Sequence, residues 1–483
     1  MATLFILACL QQPDRYVLER ISSSSRSSPK QTTHSHQQRY TNLPMAKEDD
    51  VSPSPSMPYD HHSYSPSHTP PTRATITCTP EARDQLPSSS SKWASTLLTH
   101  CARAIANKDS AEVHRLLWML NELSSPYGDP DQKLAAYFLR AMFSRVTDSG
   151  DKTRRALASA SEKMCSFDSL RNVVLKFQEV SPWATFGHAA CNGAILEAFD
   201  GETKLHIVDI SSTYCTQWPT FLEALATRCE ETPHLKITAI VPTNCKQHPD
   251  ATHKVMTEIG NRMERFARLM GVPFDFRAVY HDGDLSGLDL DGLGIEEDEK
   301  LAVNLVGALH RDAAGGSSRD GLLSSIRRMQ PKIVTVVEDE ADLNVAEDGG
   351  GDEFITLFQE CLRWFRLYLE ALDESFPCMS NERLVLERAA GRAIVDLIAC
   401  SPAESRERRE RAASWCRRFS EAGFGWAEFS EDVVDDVGAL LRRHKDVWST
   451  AKCSHGGMFL TWKQQPVVWA CVWKPSTRVE ESK

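Results

Sequence analysis

His206 and Asp209 are the residues of this chain whose position is most typical of a catalytic or cofactor-binding site. They lie in an apolar run from Leu205 to Ile210 that predicts a buried strand, and a helical pattern follows from Trp218 to Arg228. In a doubly wound α/β domain the turn between the first strand and the next helix binds a nucleotide cofactor. Glycines in that turn let the backbone approach the phosphates. The turn here, Ser211 to Gln217, contains no glycine. The sequence therefore predicts the architecture of a cofactor enzyme without its cofactor loop.

The second predicted strand also lacks a group that a cofactor would need. An acidic residue at the end of that strand binds the ribose hydroxyls in dinucleotide enzymes, whereas the strand from Leu235 to Val241 is followed by Pro242 and Thr243. We therefore expect no cofactor and no catalytic residue, with an S-adenosylmethionine-dependent methyltransferase-like enzyme as the alternative. Asp209 is interpreted as a hydrogen-bond acceptor that fixes the turn, and His206 as a buried neutral histidine.

Cysteine usage does not predict a metal site. The fourteen cysteines contain no C-x-x-C pair, and a structural zinc site needs four ligands at short characteristic spacings. Cys453 and His455 are the one close pair of potential ligands that the sequence offers. Reduced thiols in a cytosolic or nuclear compartment fit this pattern best.

The charge pattern argues against direct sequence-specific DNA binding. The net charge is −11, and the sequence contains no zinc-finger, basic-zipper or homeodomain pattern. The mixed-charge run Arg406 to Arg411 predicts a solvated face of a helix that extends from Arg406 to Phe419. A second basic run, Arg442 to Lys445, closes another predicted helix. Either run could help nuclear import.

Composition divides the chain into a tail and a folded region. Residues 1–92 are dominated by Ser, Pro, Thr, His and Gln, which cannot bury enough apolar surface to offset the entropy of ordering, so we predict a disordered tail. Residues 93–180 carry apolar residues at helical spacing and predict an all-helical cap. The apolar stripe of this cap exceeds what four short helices can bury among themselves. The excess predicts a partner surface at Leu116, Leu117, Leu120 and Leu123.

From residue 181 to 483 the pattern changes to strands that alternate with helices. Five such strands are typical of a mostly parallel sheet with helices on both faces. Two further apolar runs, Met458–Trp462 and Val467–Trp473, follow each other closely and predict an antiparallel hairpin. The predicted fold is a Rossmann-like, methyltransferase-like α/β core with a C-terminal hairpin and an N-terminal helical cap. No apolar run approaches the roughly 20 residues that a membrane helix needs.

Tryptophans concentrate after residue 360. Most must belong to the core, but tryptophan and arginine are also the commonest anchors of protein interfaces. The helices between Ser380 and Phe419, together with the terminal hairpin, are therefore a second candidate partner surface. Its candidate contacts are Arg388, Arg392, Trp415 and Phe419.

Several segments resemble the GRAS family of plant transcriptional regulators. His206–Ile210 is similar to the VHIID motif of that family. The agreement extends through Ser181–Ala198, Gly260–Phe274, Ser380–Asp396 and Gln465–Ala470. The resemblance covers the chain from Trp93 onward and implies VHIID-, PFYRE- and SAW-like regions within residues 181–483. The motif residues of interest are His206, Asp209, Trp218, Trp462, Trp469 and Trp473.

Resemblance to this family implies a transcription regulator that acts through protein contacts and not through catalysis. It implies a heterodimer with a SCARECROW-type GRAS protein through the helical cap. It also implies recruitment to promoters by C2H2 zinc-finger proteins of the INDETERMINATE-DOMAIN type, so that DNA is contacted indirectly. The expected localisation is the nucleus and the cytoplasm, and the implied biology is root radial patterning. No membrane partner is expected.

Overall fold

The structure is a computed structural model that describes residues 92–164, 166–228, 231–242, 249–281, 285–311, 316–344, 350–402 and 405–476. Apart from Lys92, the predicted tail lies outside these residues. The predicted fold class is confirmed, since a mostly parallel sheet carries helices and ends in an antiparallel hairpin. Among the described residues, no helix is both long and apolar enough to span a membrane.

The predicted elements occur in the predicted order, but the helical cap has five helices and not the predicted four, because Phe167–Val180 is also helical. The helices are α1 (Trp93–Ala106), α2 (Ser110–Leu123), α3 (Pro130–Val146), α4 (Gly150–Met164), α5 (Phe167–Val180), α6 (Pro182–Ala198), α7 (Trp218–Arg228), α8 (Pro249–Met270), α9 (Gly316–Arg328), α10 (Gly351–Ser375), α11 (Asn381–Ala399), α12 (Ala412–Glu421) and α13 (Glu431–Leu441). The strands are β1 (Lys204–Ser211), β2 (His234–Pro242), β3 (Phe274–His281), β4 (Lys300–Val306), β5 (Ile333–Asp339), β6 (Phe424–Ala427), β7 (Trp448–Lys452), β8 (Met458–Trp462) and β9 (Gln465–Pro475).

The strands form one sheet in the order β3-β2-β1-β4-β5-β9-β8-β7, and β6 pairs with β9 beside this path. Strands β1 to β5 are parallel, while β9 runs antiparallel to β5 and to β8. The chain leaves β1 toward β2 and β3 on one side, and returns to β4 and β5 on the other. The carboxyl end of β1 is therefore the topological switch point, where α/β proteins of this kind bind ligands.

Strands β6 and β7 were not predicted from the sequence. β6 has four residues, and β7 buries Trp448 but exposes the side chains that follow it. Neither segment therefore shows the alternation of apolar and polar residues by which a half-buried strand is recognised. Their pairing partners, β9 and β8, determine that they are strands.

The helical cap shares a core with helices that are distant in sequence. Helices α1 and α3 pack against α10, and α3 also packs against α11. The rings of Phe138 and Phe358 meet edge to face with centroids 5.4 Å apart. Lys133 Nζ and Glu387 Oε1 form a buried ion pair at 2.8 Å. Helices of this chain therefore cover the apolar stripe of the cap in large part. Some of them lie before the predicted boundary at residue 180 and some after it.

The prediction of a solvated helix face at Arg406 to Arg411 is wrong. This segment is not helical, and α12 begins only at Ala412. Arg408, Arg409 and Glu410 are buried. Asp339 pairs with Arg409, and Arg319 and Arg418 pair with Glu410.

Arg409 and Glu410 each form ion pairs, whereas Arg408 donates to the backbone oxygen of Leu343 at 3.4 Å. The Nε of Arg409 donates to Asp339 Oδ2 at 2.9 Å, and its guanidinium lies 4.7 Å from the centre of the Trp364 ring. Glu410 accepts from Arg319 and from Arg418, whose Nε lies 2.9 Å from Glu410 Oε2. A buried charge is destabilising unless it is paired. A run of mixed charges can therefore be buried when ion pairs neutralise it, and does not have to form a solvated helix face.

Candidate protein-interaction site

The turn after β1 is closed by contacts to Asp209, which lies at the switch point. Trp218 begins α7, and its Nε1 donates to Asp209 Oδ2 at 2.8 Å. Ser211 Oγ donates to the same oxygen at 3.1 Å. Tyr214 and Cys215 adopt positive φ angles of 53° and 60°, a conformation that side chains rarely take without support. The hydrogen bonds of Asp209 span this strained turn and hold it in place.

A buried polar network extends from Asp209 across the strand ends. Asn304 on β4 donates to Asp209 Oδ1 at 2.9 Å and to Gln217 Oε1 at 3.1 Å. Gln217 Nε2 in turn donates to Asn192 Oδ1 at 3.0 Å, and Thr335 Oγ1 donates to Asn304 Oδ1 at 2.8 Å. Burial raises the pKa of Asp209, and its three donors oppose that shift. Polar groups that would face a cofactor in an enzyme are paired with one another here.

Glu338 closes the neighbouring strand end in the same manner. Its Oε1 accepts from the backbone N–H groups of Ala308 and Leu309 at 2.9 and 2.7 Å, and its Oε2 lies 2.9 Å from His310 Nδ1. Burial alone would raise the pKa of Glu338, but His310 and the two N–H groups outweigh it and lower that pKa. The carboxylate fixes the loop after β4.

His206 lies on β1, toward the opposite end of the strand from Asp209. The ring is buried, with Nδ1 2.7 Å from Glu299 Oε2 and Nε2 2.9 Å from Thr238 Oγ1. Burial lowers the pKa of His206, against the effect of Glu299. Both ring nitrogens have partners within the chain, as expected for a buried neutral histidine. Cys453 and His455 belong to no cluster of three or more potential metal ligands in the described residues.

The four leucines predicted as a partner surface lie in different environments. Leu116 and Leu120 are buried where α2 packs against α1 and α3. Leu117 is half-buried, and Leu123 is 46% exposed. Leu116 and Leu120 therefore do not contact a partner in this conformation, because their own chain covers them.

An apolar groove lies beside these leucines, between α2 and α3. Its volume is about 1050 Å³, and Leu117 and Leu139 contribute to its lining. Trp118 and Phe143, at 63% and 57% exposure, are large apolar side chains that a monomer would ordinarily bury. The sequence analysis missed both, because it followed the leucine stripe. Trp118 is one residue beyond Leu117, and a step of 100° on a helix is enough to bring it to the outer side.

The groove has basic residues along its length. Its cationic and titratable lining residues are Lys108, His114, Arg115 and Arg140. Arg115 is half exposed and pairs with Glu112 on its own helix, with 2.8 Å between Arg115 Nε and Glu112 Oε2. An apolar floor with basic flanks is suited to a helix that presents an apolar face and acidic neighbours.

The second predicted surface is mostly core. Trp415 and Phe419 are buried on α12, and the Phe419 ring stacks on Trp473 with centroids 4.8 Å apart. Trp462 and Trp469 are also buried, and Trp469 Nε1 donates to Gly456 O at 3.0 Å. The expectation that Trp415 and Phe419 contact a partner is therefore wrong for this conformation, because indole and phenyl rings gain more from burial in the nearby sheet.

Arg388 and Arg392, the other two residues of that surface, are half-buried on α11. An Nη1 of Arg388 lies 3.9 Å from the Met164 sulfur of α4. Both arginines therefore retain some accessible area, and their role in partner binding stays a prediction.

Comparison with known proteins places this fold in one class. Residues 94–474 match the GRAS domain family. In structure, the crystal structure of SCL7 from Oryza sativa superposes with a TM-score of 0.66, at 26% sequence identity over 80% of this chain and 100% of that chain. The chain belongs to the GRAS domain family.

Within that family the chain is similar to SHORT-ROOT proteins. It is 58% identical to Protein SHORT-ROOT of Arabidopsis thaliana over 421 residues, which cover 86% of this chain and 79% of the relative. It is 54% identical to Protein SHORT-ROOT 2 of Oryza sativa subsp. japonica over 428 residues, or 80% and 70% of the two chains. A more distant relative, Scarecrow-like transcription factor PAT1 of Arabidopsis thaliana, is 30% identical over 382 residues, or 78% and 75%. These likenesses support a SHORT-ROOT-like plant transcription regulator with a role in root development.

Proposed function

We propose that this protein regulates transcription without catalysis, by binding a second GRAS protein through the groove between α2 and α3. The observation that carries the proposal is the exposure of Trp118 and Phe143 on the two sides of one groove. Exposed aromatic side chains of this size are the usual anchors of protein interfaces. The proposed partner is a SCARECROW-type GRAS protein.

The groove chemistry defines what the partner has to present. Burying an aromatic side chain contributes roughly 1.5–3 kcal/mol, so Trp118 and Phe143 together are sufficient for a hot spot. Lys108 and Arg140 would meet acidic groups of the partner at the rim, where charge affects the association rate more than the affinity. An amphipathic helix with an acidic flank satisfies both conditions.

Recruitment to DNA is proposed to be indirect, through C2H2 zinc-finger proteins of the INDETERMINATE-DOMAIN type. A net charge of −11 is unsuited to the nonspecific phosphate contacts on which DNA binding depends. The protein would act in the nucleus and be present in the cytoplasm, and the biological process would be root radial patterning. No catalytic step is proposed at the end of β1, where Asp209 and Asn304 bond to each other.

The groove is tested by calorimetry of the purified full chain with a SCARECROW-type partner. Phe143→Glu should weaken binding at least tenfold, because a desolvated carboxylate would replace an apolar anchor. Trp426→Glu is the matched control, since Trp426 is also an exposed aromatic residue, at 48%, but lies on β6. Equal binding by the wild type and Phe143→Glu would reject the groove as the interface.

The absence of catalysis is tested separately with S-adenosylmethionine and with a dinucleotide. We expect no binding by calorimetry, because the turn after β1 contains no glycine and Asp209 is already paired with Trp218 and Asn304. A micromolar dissociation constant for either ligand would favour the methyltransferase-like alternative.

A further inference from the structure

Strand β3 forms one edge of the sheet and has an outer row of unpaired backbone groups. The N–H of Leu235 donates to Pro273 O, and the parallel register pairs Leu235 with Phe274. Backbone groups alternate along a parallel strand, so every second residue of β3 faces away from β2. The outward residues are Phe274, Phe276, Ala278 and Tyr280. Within the described residues, no backbone hydrogen bond reaches these outward groups.

The edge lacks the proline, lysine, bulge and short length that usually prevent strands from pairing, and its protective charges are limited to Asp275 and Arg277. β3 has eight residues in regular register with β2, without a bulge, and contains neither proline nor lysine. Natural edge strands are normally short, bulged, or protected by such residues. The opposite edge, β7, has five residues and ends in the exposed Lys452. Among the residues that the structure describes, nothing pairs with the outer side of β3, so this edge of the sheet is open to a further strand.

The charges on β3 specify which strand would fit. Asp275 and Arg277 flank Phe276, and both side chains are exposed, Asp275 at 69%. If two β3 strands pair antiparallel about a two-fold axis at Phe276, Asp275 of each copy lies opposite Arg277 of the other. Oppositely charged pairs at such positions stabilise a sheet. The edge is thus complementary to itself.

Neighbouring registers are disfavoured by the same charges. A two-fold axis at Asp275 would oppose two carboxylates, and an axis at Arg277 would oppose two guanidinium groups. The axis at Phe276 also brings the outward groups of Phe274, Phe276 and Ala278 into hydrogen-bonded pairs, as the antiparallel pattern requires. Axes at Asp275 and Arg277 would also pair outward groups with outward groups, so it is the charges that select the axis at Phe276 among these three registers.

We propose that a second copy of this chain pairs with β3, so that two sheets join into one across the antiparallel β3 pair centred on Phe276. Arg277 Nη1 donates to Leu293 O at 3.0 Å, and guanidinium has five N–H donors. Arg277 can therefore keep this contact and still bind Asp275 of the other copy. The β3 edge is a different surface from the groove between α2 and α3, so the proposal does not depend on the proposed heterodimer.

The test is light scattering of the full chain after size exclusion, over about a hundredfold range of concentration from roughly 1 μM. The mass of the wild type should rise from 54.1 kDa toward twice that value. Asp275→Arg and Arg277→Asp should each keep the protein monomeric, because each places like charges opposite each other. The double variant Asp275→Arg/Arg277→Asp restores complementarity and should regain the dimer. Arg443→Asp, an exposed charge reversal on a different part of the surface, should behave as the wild type.

Three results would overturn the proposal: a wild-type mass that stays at 54.1 kDa, single variants that dimerise as the wild type does, or a double variant that stays monomeric. Thermal midpoints of all variants verify folding, and Asp275→Arg should cost little because its ion pair with His234 is exposed. Phe143→Glu separates the two interfaces. If it abolished self-association, the groove and not β3 would be the contact.

Discussion

Two regions differ in the exposure of their candidate site residues: the carboxyl end of β1, and the groove between α2 and α3. At the end of β1, Asn304 donates to both Asp209 and Gln217, and all three side chains are buried. In the groove, Trp118 and Phe143 are exposed, and nothing in the described chain covers them fully. The end of β1, which has the polar residues of an enzyme site, is closed by its own side chains. The groove, which is lined by apolar residues like a core, is open. A ligand-binding topology is thus not evidence of a ligand when the strand ends are paired internally.

The largest expected effect separates the inner and outer faces of α2. Leu120→Asp should destabilise the fold by about 4 kcal/mol or more, because an unpaired carboxylate would be buried between α1 and α3. Leu123→Asp should change the free energy of unfolding by only about 0.5 kcal/mol, since Leu123 is exposed. Chemical denaturation measures both. Similar values for the two variants would contradict the assignment of faces.

The second prediction concerns the closed strand ends. Asp209→Ala should lower the free energy of unfolding by about 2–4 kcal/mol, because Trp218 Nε1 and Asn304 Nδ2 would lose their acceptor while buried. Partner binding by the folded fraction should be unchanged. Asp200→Ala, which removes an exposed carboxylate shortly before β1, is the control. A stable Asp209→Ala protein with altered partner binding would make this site functional and not structural.

The third prediction is a dependence of stability on pH. The pKa of Glu338 is lowered in the folded protein, so its contribution is present above the ordinary glutamate value of about 4.3 and is lost as the pH falls through the folded value. Glu338→Gln should therefore cost about 1–2 kcal/mol near neutral pH, and the difference from the wild type should shrink below pH 4.3 or so. Denaturation curves at several pH values provide the comparison. A constant difference down to acid pH would show that folding does not lower the pKa of Glu338.

The smallest expected effect concerns stability at the groove. Trp118→Ser should alter the free energy of unfolding by about 0.5 kcal/mol or less, because the indole is mostly exposed in the free chain. The same substitution should weaken the heterodimer. A change in the groove would therefore lower affinity with little effect on stability, whereas Asp209→Ala would lower stability with little effect on affinity. A large loss of stability would mean that Trp118 belongs to the core of the cap and that the groove is not open in solution.

Much of the fold could be predicted because it depends on periodicity. The five parallel strands and the hairpin were predicted from apolar runs, and β6 and β7 were missed because pairing and not pattern makes them strands. For the site, the sequence showed that the turn after β1 lacks glycine. The sequence did not reveal the groove, since exposure of Trp118 and Phe143 depends on how α2 and α3 pack.

The sequence by itself determined the five parallel strands and the hairpin, the glycine-free turn at Ser211 to Gln217 and the likeness to one family, because these depend on residue type and spacing. Only the tertiary structure decided which faces are covered. Lys133 meets Glu387 although the two are 254 positions apart, and Arg409 is buried against Asp339 and Trp364. The physical reason is that helical periodicity defines a face of a helix, while the burial of that face depends on the distant elements that pack against it.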